Sequence, residues 1–291
     1  MMNGKGTRGV TAMPTFNSVV FAGGGCRCVW QAGFWAVAAE PLELDRAVIG
    51  SVSAGVAMAC LVRSGCIDEG MSLFKRRFAG NPRNMYLTRW GTGRPVFPQV
   101  AIYREGVLSV MDDSAMDRLQ RAPDIRVLMA RPPAWLPPQV APALGIGTYL
   151  AEKHLKKPMH PTWAAKVGFR PLVASVRECR SPSQLAGLIL QSSCTPPFVP
   201  LQYRGRQPVL DGGLIDNCPV ETVADVPGPM LVLLSRRYPS DRIPRGGERF
   251  YLQPSRDPLI GRWDYTNPAG LQATFDLGRR DAETFLSRLR R

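Results

Sequence analysis

The sequence predicts an α/β protein in three layers, with a central, mainly parallel sheet flanked by helices and broken by an irregular cap. Three observations carry that expectation. Apolar runs of strand length alternate with helical patterns near the start, 18–22 before 26–40 and 46–49 before 54–63. That rhythm joins parallel strands through crossover helices. Small-residue turns, Gly23-Gly24-Gly25 and Gly50-Ser51-Val52-Ser53-Ala54-Gly55, fall at the two strand-to-helix junctions. Finally, 291 residues with 45% hydrophobic and 21% charged content suit a globular chain with a sizeable core.

Residues 18–22 form an apolar strand through Val19, Val20 and Phe21, ending at the glycine loop. Residues 26–40 follow as an apolar helix carrying Val29, Trp30, Phe34, Trp35 and Val37, with Gly33 as a close-packing point. A short strand at 46–49 leads into a helix at 54–63, and 68–78 reads as an amphipathic helix. The pattern then dissolves into Pro, Gly, Arg and aromatics over 81–107. A helix at 113–119 and a strand at 125–130 precede the proline-rich loop 132–142, the kind of segment that builds lids and rims. With a helix at 144–155, this places a cap at about 80–165. Order returns with a strand at 171–176 and a helix at 183–192 capped by Ser181 or Ser183. The continuous apolar run 230–235 suits a central strand, and 250–252 a further one. A final helix at 268–291 is interrupted near Gly278. Residues 1–16 read as a flexible tail and 17–291 as one domain without internal repeats.

The formal net charge is +14 and the isoelectric point near 10.0. Anionic lipid surfaces attract Lys and Arg at about 1 kcal/mol per residue. Nucleic acid attracts them by the same physics, but the basic residues are dispersed and no nucleic-acid motif accompanies them, so none is expected as a partner. The final helix sets Phe275, Leu277, Phe285, Leu286 and Leu289 beside five arginines, a candidate membrane contact. The commoner arrangement is a helix packed on the sheet with a solvated basic face. Seven cysteines form an odd, scattered set that fits reduced thiols in the cytoplasm better than a disulfide scaffold. Two histidines and no Cys-x-x-Cys pair argue against structural zinc, and no metal or cofactor is expected. No apolar run approaches the roughly 18 residues of a membrane span, nor does the N-terminus carry a secretory apolar stretch. A cytoplasmic protein, peripheral on anionic membranes at most, is the expectation. Oligomeric state leaves no trace in the sequence.

The chemistry concentrates in three motifs. Ser53 sits between an apolar strand and a helix, flanked by Ala54 and Gly55, where a sharp elbow presents a hydroxyl. Gly23-Gly24-Gly25-Cys26-Arg27 can converge backbone N–H groups on a developing oxyanion, with Arg27 adding positive charge. This loop matches neither dinucleotide nor P-loop spacing. Asp211-Gly212-Gly213 offers a carboxylate beside two glycines. Both histidines, His154 and His160, precede Asp211, so the chain order of an α/β-hydrolase triad cannot be met with Asp211 as the acid. A desolvated carboxylate in hydrogen-bond reach can take the serine proton directly. The motifs therefore point to a serine acyl hydrolase working without histidine.

On these same residues the chain resembles the patatin-like phospholipase family, over about 17–220. The matching positions are Gly23-Gly24-Gly25-Cys26-Arg27, Ser53-Ala54-Gly55 and Asp211-Gly212-Gly213. The segment Gln191-Ser192-Ser193-Cys194-Thr195-Pro196 and the later Asn217 and Pro219 also fit. The resemblance implies a patatin-like three-layer fold and hydrolysis of (phospho)lipid esters by a Ser53–Asp211 dyad. It further implies an oxyanion hole at 23–27 and no cofactor. Cys28 replaces the loop's last glycine and Ser51 the elbow's first, so a catalytically weak lipid-binding or scaffolding relative is the alternative. Trp30, Trp35 and Phe198 are candidates for an acyl groove, although core packing is the commoner fate of such residues.

Overall fold

Val19, Val20 and Phe21 in β1 (Ser18–Phe21) are fully buried, as are Leu231, Val232 and Leu233 in β7 (Met230–Leu233). Strands apolar on both faces belong at the centre of a covered sheet. In the computed structural model, which describes residues 14–89, 92, 96–155 and 159–290, these two strands pair in parallel. Most of the expected tail and Lys156-Lys157 lie outside the described residues.

The elements in chain order are β1, α1 (Val29–Ala38), β2 (Val48–Val52), α2 (Ala54–Arg63), α3 (Ile67–Ala79), α4 (Gln99–Val110) and α5 (Asp113–Arg121). Next come β3 (Ile125–Arg131), α6 (Ala141–Leu155), α7 (Trp163–Lys166), β4 (Arg170–Ser175) and α8 (Pro182–Ser192). The chain closes with β5 (Gln202–Arg204), β6 (Gln207–Asp211), β7, β8 (Arg249–Leu252) and α9 (Pro268–Leu289). Parallel pairing runs from β3 through β2, β1 and β7 to β8. Antiparallel β4 and β6 join β3, and β5 pairs with β6, so the sheet is mixed with a parallel centre flanked by helices.

Strand β3 decides where the chemistry can sit. A strand has two edges, and β4 occupies one of them from Arg126 to Arg131. β2 and β6 must share the other: β2 pairs with residues 125–128, β6 with Met129 and Ala130. Val52 is opposite Leu128 and Asp211 opposite Met129. β6 thus enters the line that β2 leaves at its elbow.

Every residue of α2 is buried, which makes it the central helix behind the elbow. α1 packs on α9, where Trp30 Nε1 donates to Asp281 Oδ2 at 2.8 Å. One expectation for α9 is corrected, and of its two arrangements the packed one is found. The helix runs unbroken through Gly278, because that glycine fits against the α1 backbone instead of ending a helix. Phe275, Leu277 and Leu286 are buried while Phe285 and Leu289 pack against the core, so the stripe offered as a membrane contact is covered. Residues 80–165 are also more than an irregular cap. They supply β3 to the sheet, and α4, which the sequence left unassigned, buries Ile102, Tyr103 and Val107. All seven cysteines are free thiols in buried positions. Among the described residues no helix is long and apolar enough to cross a membrane.

Candidate active site

Ser53 caps α2 with φ 55° and ψ −134°. A non-glycine residue at positive φ carries steric strain of about 1–3 kcal/mol and persists only where its surroundings hold it. Two hydrogen bonds do so here. The Ser53 N–H donates to Ser192 Oγ at 2.8 Å, and the Ser192 hydroxyl donates to the Leu128 carbonyl at 2.7 Å. The elbow is thereby tied to β3 through α8. Ser51 does not crowd the turn: it lies within β2, buried, and donates to the Arg126 carbonyl at 3.2 Å. Removing the Ser192 hydroxyl loosens the elbow without touching the Ser53 hydroxyl or the Asp211 carboxylate. Ser192→Ala is expected to lower kcat about tenfold with little change in KM, a loss of about 1.4 kcal/mol of transition-state stabilisation. An unchanged kcat under steady-state lipid-ester assay would contradict this positioning role.

The Ser53 hydroxyl donates to Asp211 Oδ2 at 2.8 Å. Asp211 Oδ1 accepts the Gly213 N–H at 2.8 Å, and the Asp211 N–H donates to the Cys194 carbonyl at 2.8 Å. Glycine is required at 212, since a Cβ there would lie 2.4 Å from the Leu128 carbonyl oxygen. Burial pushes the Asp211 carboxyl above the usual carboxylate range, opposed by the Arg262 charge and by hydrogen bonds from Gly213 and Ser53. A raised but still ionisable carboxylate is suited to accepting a proton.

The glycine loop packs directly on this pair. A Cβ on Gly23 would be 3.3 Å from the Ser53 Cβ. The Gly23 carbonyl is fixed by Asn217 Nδ2 at 2.8 Å and by the Ser235 hydroxyl at 2.6 Å. Of the expected oxyanion donors, two are already engaged: Gly23 N–H donates to the Asn217 carbonyl at 2.9 Å, and Cys26 N–H to the Arg262 carbonyl at 3.0 Å. The N–H groups of Gly24 and Gly25 donate to no acceptor among the described residues. Gly25 adopts φ 62° against Arg262, and Arg27 Nε reaches back to the Gly24 carbonyl at 3.3 Å. Arg27 therefore braces the loop. Burial holds both nearby thiols protonated, pushing Cys28 up to about 12 and Cys26 higher still.

Arg262, Ser192 and Ser235 are site residues to which sequence reasoning assigned no role. Arg262 leans over Trp263 at 4.8 Å, with its buried Nε unpaired among the described residues. Trp263 stacks on Phe198 at 4.8 Å, and Phe198 meets Phe97 at 4.5 Å, an aromatic ledge beside the loop. Phe198 is thus near the site, whereas Trp30 and Trp35 are core residues. Beneath the loop lies an apolar cavity lined by Gly25, Met58, Phe74, Tyr103, Tyr265 and Leu271. Its volume is about 20 Å³, room for roughly one water. His160 Nδ1 lies 3.0 Å from the Asp216 carboxylate and His154 is exposed, so neither histidine meets Ser53 or Asp211.

A strand–elbow–helix serine beside a buried carboxylate and a glycine loop, on a mixed sheet with a parallel centre, places the chain among α/β proteins whose sheet is flanked by helices. The model of the patatin-like phospholipase family matches residues 19–224, and the chain belongs to that family. No curated protein is significantly similar in sequence. Among solved structures, VipD from Legionella pneumophila aligns with TM-score 0.45 and 10% identity, covering 94% of this chain and 67% of that one.

Proposed function

We propose that this chain hydrolyses ester bonds of phospholipids with Ser53 as nucleophile and Asp211 as general base. The observation that carries the reading is the 2.8 Å hydrogen bond from the Ser53 hydroxyl to the buried Asp211 carboxylate. Ser53 Oγ attacks the ester carbonyl carbon while its proton passes to Asp211. The carbonyl oxygen becomes an oxyanion held by the Gly24 and Gly25 N–H groups, with the Arg262 cation nearby. One such donor is worth about 2.7–4 kcal/mol of barrier. Collapse breaks the ester bond, and the departing alkoxide takes the proton from Asp211. Asp211 then removes a proton from water, whose oxygen attacks the acyl-Ser53 carbonyl; as this second intermediate collapses, Ser53 Oγ leaves, takes the proton back from Asp211, and the fatty acid is released. The acyl chain has two apolar surfaces at hand, the Phe97–Phe198–Trp263 ledge and the small cavity under Gly25, which must widen to admit it.

A long-chain alkyl fluorophosphonate tests the nucleophile without the true substrate. Intact mass is expected to show one adduct, mapped by peptide digestion to Ser53 and absent from Ser53→Ala. Labelling at another residue, or none in the presence of detergent micelles, would remove the dyad reading.

A further inference from the structure

β3 ends at Arg131 and β4 begins at Arg170, and their register sets these arginines directly opposite each other. Like charges at opposed positions of an antiparallel pair are destabilising. Arg206, in the turn between β5 and β6, lines the same groove, whose volume is about 540 Å³. None of the residues lining it is acidic. Among the described residues, none of the three guanidiniums has a hydrogen bond or ion pair. A built concentration of unbalanced positive charge calls for an external anion.

Apart from Gln207, the rest of the wall is apolar and stiffened by Pro132, Pro133, Pro138 and Pro208. In that proline loop Trp135 is 72% exposed, and Val140 is 49% exposed. An exposed indole on the loop that walls an arginine groove is a combination that settles at a lipid headgroup boundary, with its apolar body inward and its N–H in the wet layer. Duplex nucleic acid answers the charge but, with its bases stacked inside, leaves the exposed indole on a proline scaffold unused. Position agrees with lipid. β3 runs parallel to β2, so the groove and the Ser53 elbow share the carboxyl end of the sheet. β6 begins at Gln207 on the groove and ends at Asp211, a distance of about 13 Å along the strand.

We propose that the Arg131–Arg170–Arg206 groove and the Trp135 loop form the face by which this chain docks on anionic phospholipid bilayers. The guanidiniums engage headgroup phosphates and carboxylates, while Trp135 seats at the boundary with the acyl chains. The purpose of docking rests on the lipid-hydrolase reading, since it sets the reactive serine toward its substrate. Binding itself does not depend on turnover.

The test is co-sedimentation of the full chain carrying Ser53→Ala with vesicles of phosphatidylcholine alone or mixed with phosphatidylserine. Preference for the mixed vesicles is expected. Arg131→Gln, Arg170→Gln and Arg206→Gln together should weaken it about a hundredfold, roughly fivefold per arginine. Trp135→Ala should weaken it several-fold. The control combines Arg279→Gln, Arg280→Gln and Arg288→Gln, three exposed α9 positions with the same loss of charge, and should bind nearly as the parent does. Equal losses in both triple variants, or no preference for phosphatidylserine in the parent, overturn the proposal. So does a groove variant that loses retention on duplex DNA yet keeps its vesicle binding. The groove variant with Ser53 restored must still take the fluorophosphonate and melt as the parent, which shows that it folds. If labelling fails throughout but vesicle binding follows the groove, the dyad reading falls and the docking face stands.

Discussion

Replacing Asp211 by asparagine is expected to lower kcat/KM on a lipid ester by about 10²–10⁴-fold, the usual contribution of a positioned base, while raising Tm at neutral pH. The two effects share one cause. Burial lifts the Asp211 carboxyl above its ordinary value, so the folded state keeps its proton to higher pH than the unfolded chain. Between the unfolded and folded values the native state binds more protons, and stability falls as pH rises through that window. Above it, the fold carries an ionised carboxylate that burial disfavours. Asparagine removes that cost and keeps the shape: its oxygen can still accept the Gly213 N–H, and its amide can face Ser53 Oγ. Activity shows the opposite slope, because only ionised Asp211 can take the proton, so the rate falls as pH drops through the raised value. Arg262 tempers the shift. Arg262→Gln should therefore move the acid limb of the kcat/KM profile to higher pH. Thermal melts and pH–rate profiles of the parent and both variants decide the matter. An Asp211→Asn protein that melts lower at neutral pH, or an Arg262→Gln profile displaced to lower pH, would refute this account of the base.

What the sequence made legible was what neighbouring residues determine. The β1–loop–α1 and β2–elbow–α2 units follow from apolar runs that stop at small residues, and Ser53, the proposed nucleophile, stands out because a serine occupies that stop. Asp211 was readable as chemistry but not as geometry. Its strand β6 opens with Gln207 and Pro208, which give no strand signal, and its place beside Ser53 depends on two strands sharing one edge of β3. The glycine loop divides in the same way. Glycines 23–25 were legible, but which N–H groups remain free is set from afar, by Asn217 for Gly23 and by Arg262 for Cys26. Arg262 lies in a loop between β8 and α9 with no motif of its own, so only the folded chain brings it to Gly25. Gly278 misled for a related reason. A glycine inside a helical pattern reads as a break until its partner is known.

That partner makes Gly278 the site of the largest expected loss of stability. A Cβ there would lie 2.1 Å from the Trp30 carbonyl oxygen and 2.8 Å from the Phe34 backbone nitrogen. The reciprocal position, Gly33 in α1, would place its Cβ 2.0 Å from the Phe275 carbonyl oxygen. Each helix thus presses a glycine onto the other's backbone, and backbone cannot rotate away as a side chain can. Alanine at 278 gains about 1 kcal/mol of helix propensity and must force α1 and α9 apart. A net destabilisation of about 3 kcal/mol is expected, at the upper end for overpacking. Gly187→Ala supplies the contrast, since nothing lies within 4 Å of the added methyl in α8, and it should stabilise by about 0.5–1 kcal/mol. Denaturant unfolding of both variants measures the difference. The strain should also reach the chemistry. α1 starts directly after the glycine loop, and the loop holds the Arg262 carbonyl from the segment that leads into α9. Spreading the two helices pulls on that bond and displaces the Gly24 and Gly25 N–H groups. Fluorophosphonate labelling of Ser53 should then slow in Gly278→Ala, under conditions where the variant remains folded, and keep its parent rate in Gly187→Ala. Equal labelling rates would mean that the helix crossing supports the fold alone and leaves the glycine loop to its own hydrogen bonds.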